Sequence, residues 1–204
     1  MILIRRRAIL ALYAATILLA ADGCQHDRYL DVLPLQRAGM DYEAIKQVKA
    51  LRPSDSEVAE VAKAKLGGLS DQTSIDLLQI ARSQQTSHFA EAADNLVQSG
   101  MTEQDILTIA QLGQLKDGAG ELQAMRLTGI SDGAVVEVAR RHAEGKAALS
   151  GVSLAKLKDV GVREGTICEL IRRGIRDDQV AAIAAMKARR VSDTEILRKY
   201  STTT

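Results

Sequence analysis

The chain has 204 residues, with 27 Lys and Arg against 26 Asp and Glu, so its formal net charge at pH 7 is only +1. Aromatic residues make up 2% of the composition and tryptophan is absent. A near-neutral chain lacks the basic footprint of a nucleic-acid-binding domain, and one so poor in aromatic side chains lacks the stacking platforms of sugar and single-strand binders.

The N-terminus combines a basic stretch with a short apolar run. MILIRRR is followed over residues 8–21 by AILALYAATILLAA, which consists of apolar and small residues. A membrane-spanning helix needs about 20 such residues, so this order predicts a secretory signal peptide over residues 1–23. Removing it leaves 24 basic and 25 acidic residues, so the predicted mature chain is also close to neutral.

The end of the apolar run, ADGC, resembles a bacterial lipoprotein signal, in which small residues precede the cysteine that takes the lipid after cleavage. The resemblance implies that Cys24 is lipidated and that the membrane is a partner through this lipid. Ala21 stands where that signal usually has leucine, and Asp22 stands where it has a small uncharged residue. Cleavage without lipidation, giving a periplasmic or secreted protein, and retention of an uncleaved anchor are the alternatives.

Residues 24–35 are predicted to be a tether, and residues 36–204 an α-helical repeat domain. In that domain, aliphatic residues recur three and four positions apart, as at Ile106, Ile109 and Ala110. This is the period of an amphipathic helix, and strict alternation of apolar and polar residues is absent. The predicted fold class is therefore all-α.

A phrase recurs between the predicted helices: a glycine, an aliphatic residue, a polar residue, and a second aliphatic residue six positions after the glycine. In one example, Gly100 ends a helix in the left-handed conformation and Thr102 caps the amides of the next helix. Met101 and Ile106 then form a hydrophobic staple. The phrase predicts structural helix corners at Gly39, Gly68, Gly100, Gly129, Gly161 and Gly174.

The corners recur with a fixed period. Ser70, Ser131 and Ser192 follow a 61-residue period, and the glycines from Gly39 to Gly161, continued by Arg190, follow one another at spacings that alternate between 29 and 32. Each 29- or 32-residue unit is predicted to be a short helical hairpin, with second corners near Pro53, Gly113, Gly145 and Gly174. The pattern predicts about ten or eleven helices, in tandem four-helix units with a truncated third copy. A solenoid-like array and a compact helical bundle both accommodate it.

Two segments resemble nucleic-acid-binding motifs, residues 153–174 a helix-turn-helix and residues 126–141 a helix-hairpin-helix. The second family has another glycine two residues after the first, where this chain has Ser131. Because the same corner recurs along the chain, its structural role accounts for both matches, and binding of nucleic acid is disfavoured.

One cluster of arginines is a candidate patch for an anionic partner, although basic residues at helix C-termini also complement the helix dipole. It comprises Arg172, Arg173, Arg176, Arg189 and Arg190.

The sequence contains no recognisable catalytic or metal-binding pattern. His26, His88 and His142 are isolated, and phosphate-loop and nucleophile-elbow motifs are absent. Cys168 lies in a helical pattern and is interpreted as a small buried hydrophobic residue. We therefore expect no catalysis, no cofactor and no metal. The predicted function is an exported, lipid-anchored helical-repeat module that binds or scaffolds an unknown protein in the bacterial cell envelope. An exported DNA-binding protein and a hydrolase without a recognisable motif are the alternatives.

Overall fold

The computed structural model describes residues 30–201, which form twelve α-helices and no β-strand. The prediction of an all-α fold is confirmed, and the number of helices exceeds the predicted ten or eleven. The predicted signal peptide, Cys24 and the first half of the predicted tether lie outside the described residues. The helices are α1 Leu33–Arg37, α2 Tyr42–Ala50, α3 Asp55–Leu66, α4 Asp71–Ser83, α5 Ala90–Gln98, α6 Glu103–Gln111, α7 Ala119–Leu127, α8 Asp132–Ala143, α9 Gly151–Asp159, α10 Glu164–Arg172, α11 Asp177–Ala188 and α12 Asp193–Lys199.

The first helix begins earlier than the sequence pattern indicated. Helix α1 starts at Leu33, inside the segment predicted as a tether, with Pro34 in its first turn. Proline is well tolerated there because the amide it lacks has no partner within the helix. The side chain of Leu35 is fully buried, so these residues belong to the helical domain.

The helices stack in two rows. Each helix packs chiefly against the helix two places along the chain, so α1, α3, α5, α7, α9 and α11 form an odd row and the even-numbered helices form an even row. Neighbours in sequence also touch, most extensively α3 with α4. Within residues 30–201, the principal contacts never join helices more than two places apart. This pattern is that of a solenoid-like array of helical hairpins, in which each unit contacts only its neighbours.

The 61-residue period also appears in the positions where the even-row helices begin. Helices α2, α6 and α10 begin at Tyr42, Glu103 and Glu164, and helices α4, α8 and α12 begin at residues 71, 132 and 193, so both sets follow this period. The described chain therefore consists of three four-helix copies, α1–α4, α5–α8 and α9–α12. The third copy is not truncated as the sequence suggested, although its last helix has only seven residues. Positions separated by one full period are called register equivalents below.

Each of the eleven corners contains one residue with positive φ. Eight are glycines, including all six glycines predicted as corners. The other three are Arg52, which precedes Pro53, Gln85 and Arg190. At the first corner, the Gly39 amide donates to the Gln36 carbonyl and the Met40 amide donates to the Leu35 carbonyl. This pair of hydrogen bonds is the Schellman arrangement that closes a helix C-terminus.

The predicted caps and staples form where the residue types allow. The side chain at the N-cap accepts a hydrogen bond from the third amide of the helix at Asp41, Ser70, Thr102, Ser131 and Ser192. Met101 and Ile106, the predicted staple pair, are both buried. Arg163 and Arg176 supply no side-chain cap, because a guanidinium has no acceptor. The Arg176 amide is instead satisfied by Gln179, three residues later.

Gly129→Val is expected to lower the free energy of unfolding by about 1 kcal/mol or more. Gly129 has a φ of +79°, and a Cβ there would lie 2.6 Å from the Lys158 ammonium nitrogen. A β-branched residue is strained at such a φ. Urea denaturation measures the change, with Gly165→Ala as the control. Gly165 lies in a helix with open space around its Cα, so alanine there should stabilise by up to about 1 kcal/mol. Equal midpoints for Gly129→Val and the parent chain would contradict the corner geometry.

Candidate functional site

A carboxylate contact repeats along the even row. The first residue of one helix is an aspartate whose carboxylate accepts a hydrogen bond from the N-cap amide of the helix two places earlier. We call each such contact a rung. The pairs are Asp41 with Asp71, Thr102 with Asp132, and Arg163 with Asp193, at N···O distances of 2.9, 3.3 and 3.0 Å.

Each of these three aspartates also meets a cation six residues earlier in the chain. Lys65 lies 2.7 Å from Asp71, Lys187 lies 2.7 Å from Asp193, and Arg126 pairs with Asp132. The cation is in the last turn of α3, α7 or α11, so it ties an odd-row helix to the following even-row helix. The three cations are register equivalents, as are the three aspartates. These ion pairs, like the rungs, therefore recur with the 61-residue period of the sequence.

The rungs at Asp71 and Asp193 hold their carboxylates in the charged form. Burial alone would raise the pKa of Asp193, but hydrogen bonds from Lys187, from Arg163 and from Thr166 outweigh it and hold that pKa well below its usual value. Burial likewise opposes ionisation of Asp71, and bonds from the Asp41 amide and Lys65 again lower its pKa. Ionised carboxylates make stronger hydrogen bonds to amides than neutral acceptors do.

Two further rungs use other residue types. The Glu103 carboxylate accepts from the Ser70 amide at 2.8 Å and the Ser70 hydroxyl at 2.5 Å, and also from the Thr73 hydroxyl. In the odd row, the Ser150 amide donates to Asp177 at 3.0 Å. The N-cap amides of Ser70 and Ser150 therefore each bind a carboxylate from the helix two places later, and Ser70 adds its hydroxyl.

The rung between α8 and α10 is missing. Glu164 occupies the first position of α10, as Glu103 does in α6, yet its carboxylate does not accept from the Ser131 amide. That amide has no hydrogen-bond partner among residues 30–201, although the N-cap amides of the other helices from α2 to α12 are all paired. Departures from a local rule are expected at functional sites, which makes this step the candidate site.

A small cleft opens beside the unpaired amide, with a volume of about 70 Å³. Its walls are mostly apolar, and Lys158 and Glu164 supply opposite charges at its mouth. The Lys158 ammonium donates to the Gly129 carbonyl at 2.6 Å. The lining residues are Gly129, Ile130, Ser131, Ala134, Lys158, Val162, Glu164 and Ile167. This combination suits an aliphatic side chain next to a hydrogen-bond acceptor.

Glycines occupy the first turns of the two helices beside the cleft. Gly133 and Gly165 are the second residues of α8 and α10, and both are exposed. A Cβ on Gly133 would lie 3.7 Å from the sulfur of Cys168. Cys168 is half-buried rather than fully buried, and burial raises the pKa of its thiol, so the reactive thiolate is disfavoured.

The predicted arginine patch does not form one surface. Arg172, Arg173 and Arg176 surround the corner between α10 and α11, whereas Arg189 and Arg190 lie at the far end of α11. A twelve-residue helix of about 18 Å separates the two groups. Carboxylates neutralise much of the first group, since Arg172 pairs with Glu137 and Glu169, Arg173 with Glu169, and Arg176 with Asp178.

The helix-turn-helix resemblance spans α9 and α10, and the helix-hairpin-helix resemblance spans the end of α7, the Gly129 corner and α8. At the N-terminus of α10, the Arg163 amide is already bonded to Asp193.

The His88 side chain is largely exposed, with Nδ1 3.7 Å from Glu60, and His142 is in the last turn of α8. Within residues 30–201, no group of three or more His, Cys, Asp or Glu side chains is placed to hold a metal ion. None of the described helices is long and apolar enough to span a bilayer.

Comparison with known proteins adds no family to this description. No family model matches the chain, and no curated protein matches its sequence. The class of protein is therefore defined by the fold alone, as an all-α array of tandem helical hairpins.

Proposed function

We propose that the chain is an exported, lipid-anchored helical-repeat module that binds or scaffolds another protein in the bacterial cell envelope. Helical arrays present long surfaces assembled from neighbouring repeats, and such surfaces commonly serve as binding sites. The missing rung supports this proposal most directly, because it leaves the Ser131 amide donor unpaired beside a cleft with apolar walls. The proposed activity is binding, without catalysis.

The partner chemistry follows from the other rungs. The N-cap groups of Asp41, Ser70, Thr102, Ser150 and Arg163 each bind a carboxylate. Ser131 has an amide and a hydroxyl, as Ser70 does, and Lys158 lines the same cleft. A protein segment with an aliphatic side chain beside an acidic residue matches these features.

Quantitative capture from solubilised envelope proteins tests the binding. The parent chain is compared with Lys158→Glu, which sets a second carboxylate beside Glu164 and repels an acidic segment. Lys156→Glu is the matched control, since Lys156 is an exposed lysine of the same helix outside the cleft lining. We expect a protein that the parent and Lys156→Glu retain and Lys158→Glu loses by tenfold or more. Equal recovery by all three chains would contradict binding at the cleft.

The proposed anchor is tested separately through Cys24. The expressed precursor should partition into membranes and incorporate labelled fatty acid, and Cys24→Ser should lose both properties. The physical reason is that acyl chains add about 0.8 kcal/mol of membrane affinity per buried CH₂. A Cys24→Ser precursor that stays in the membrane at full length would favour an uncleaved anchor. Release of a shortened soluble chain from the parent would favour ordinary secretion.

A further inference from the structure

The step between α8 and α10 has a serine and a glutamate in the positions that form a rung elsewhere. Glu103 forms its rung with Ser70, which lies 33 positions earlier in the chain. Glu164 is the register equivalent of Glu103, and Ser131 again lies 33 positions earlier. Helices α8 and α10 pack extensively against each other, as α4 and α6 do. The backbone therefore brings Glu164 to the position from which Glu103 reaches its serine.

The cation of the missing rung is also present. At three rungs, a cation lies six residues before the aspartate with which it pairs, as Lys65 does for Asp71. Lys158 lies six residues before Glu164. Its ammonium donates instead to the Gly129 carbonyl, and Glu164 is exposed. Both charged residues of this step are therefore in position, but in a different arrangement from that of the other rungs.

One hydrogen-bond donor is missing at this step. In α4, the hydroxyl of the third residue, Thr73, donates to the Glu103 carboxylate. In α10, the hydroxyl of the third residue, Thr166, donates to Asp193 at 3.1 Å. The third residue of α8 is Ala134, the register equivalent of Thr73. A carboxylate at Ser131 thus has one donor fewer than Glu103 has, so it is held less firmly.

The donors of Ser131 can serve only one carboxylate at a time. The amide is unpaired, and the hydroxyl donates to no acceptor among residues 30–201. At Ser70, one carboxylate takes both donors. Because Glu164 lines the cleft, rotation of its side chain brings a carboxylate to the place proposed for the acidic residue of the partner. Two carboxylates cannot occupy that place together, since like charges repel each other.

We propose that Glu164 regulates the cleft through an autoinhibitory contact. In the free chain, its carboxylate rotates onto the Ser131 amide and hydroxyl and completes the missing rung, and the carboxylate of a partner displaces it. Because the closed contact lacks the threonine donor, a partner needs only a modest advantage in affinity to open it. This inference rests on the proposed function and adds an internal competitor to it.

Solvent exchange of the Ser131 amide, measured by NMR in the full chain carrying Cys24→Ser, tests the contact without a partner. Ala134→Thr restores the donor of the first copy, and Ala134→Val gives the same shape without a hydroxyl. We expect exchange about fivefold slower in Ala134→Thr than in Ala134→Val, the scale of one hydrogen bond to a carboxylate. Adding Glu164→Ala to both chains should make their rates equal. Equal rates in the two chains that keep Glu164 would overturn the proposal.

The same measurement on chains that keep Ala134 avoids any change in the cleft wall. Glu164→Ala should speed exchange of the Ser131 amide by about twofold or more, because it removes the internal acceptor. Asp159→Ala is the matched control, since Asp159 is an exposed acidic residue at the end of α9, outside the cleft lining. This control should exchange at the parent rate. A rate that Glu164→Ala leaves unchanged would contradict the contact.

Capture from solubilised envelope proteins separates this inference from the proposed function. The amount of partner retained should be about fivefold lower in Ala134→Thr than in Ala134→Val, and Glu164→Ala in both chains should remove the difference. Equal retention by Ala134→Thr and Ala134→Val of a protein that Lys158→Glu loses would overturn the autoinhibition alone. If no chain retains a protein that Lys158→Glu loses, the proposed function fails, and the exchange rates alone decide the internal contact.

Discussion

Replacing Asp193 by alanine is expected to lower the free energy of unfolding by about 3 kcal/mol or more, the scale found when one partner of a buried ion pair is removed. Asp193 is 4% exposed. Its carboxylate accepts from the Arg163 amide at 3.0 Å, the Thr166 hydroxyl at 3.1 Å and the Lys187 ammonium at 2.7 Å. The Arg163 guanidinium also donates to this carboxylate, at 3.0 Å, so alanine leaves four donors without this acceptor, and the Lys187 side chain is itself mostly buried.

Urea denaturation followed by circular dichroism measures the loss, and hydrogen exchange locates it. Because α12 is the terminal described helix and contacts chiefly α10, its amides should lose protection first. Asp159→Ala is the control, since Asp159 is an exposed aspartate at the end of α9 and should change stability by less than about 0.5 kcal/mol. Equal effects of the two substitutions would show that the rung does not stabilise the array.

The corners could be predicted from sequence because their chemistry is local. Gly100, Met101, Thr102 and Ile106 lie within seven residues, and together they set the end of α5 and the start of α6. The corner at Gln85 was missed because no local signal marks it. A non-glycine residue takes the positive φ, and the N-cap of α5 is Phe89, which has no capping side chain.

The cap that α5 lacks comes from a distant part of the chain. The buried Glu60 carboxylate of α3 accepts from the Phe89 and Ala90 amides, each at 3.0 Å. A contact between residues about thirty positions apart depends on how the helices stack, and a local sequence pattern does not specify it. The rungs were missed for the same reason, although Lys65 and Asp71 recur one full period later as Arg126 and Asp132.

The candidate site could not be predicted even from the repeat. Glu164 stands at the first position of α10, where the pattern of acidic residues predicts another rung. Only the folded structure shows that the Ser131 amide is left unpaired and that a cleft lies beside it. A repeat in sequence thus predicts where equivalent groups lie, whereas the departure from the repeat is visible only in three dimensions.

Stability is expected to fall steeply below about pH 4.5, because the contacts between helices depend on ionised carboxylates with depressed pKa values. The Arg82 guanidinium donates to both oxygens of Glu57, at 2.6 and 2.8 Å, and with help from Ser54 it lowers the pKa of Glu57 from 4.5 to about 2. The pKa is also lowered at the rung carboxylates of four further residues. They are Asp71, Glu103, Asp177 and Asp193.

The direction of the pH dependence follows from these shifts. A group whose pKa is lower in the folded state binds fewer protons there than in the unfolded state, so it stabilises the fold above its unfolded pKa. That stabilisation is lost progressively as the pH falls through the folded pKa. For Glu57 alone, the shift corresponds to about 3 kcal/mol between pH 7 and pH 2.

Urea midpoints between pH 7 and pH 2 measure this loss. Glu57→Gln should destabilise the chain at pH 7 and flatten its profile between about pH 4.5 and pH 2, because the glutamine has no proton to gain. Glu43→Gln is the matched control, since the Glu43 side chain is 71% exposed and pairs only with the exposed Lys46. We expect that control to reproduce the parent profile. A parent chain whose urea midpoint stays constant from pH 7 to pH 3 would contradict the role of the rung carboxylates and of the Arg82 contact in holding the array together.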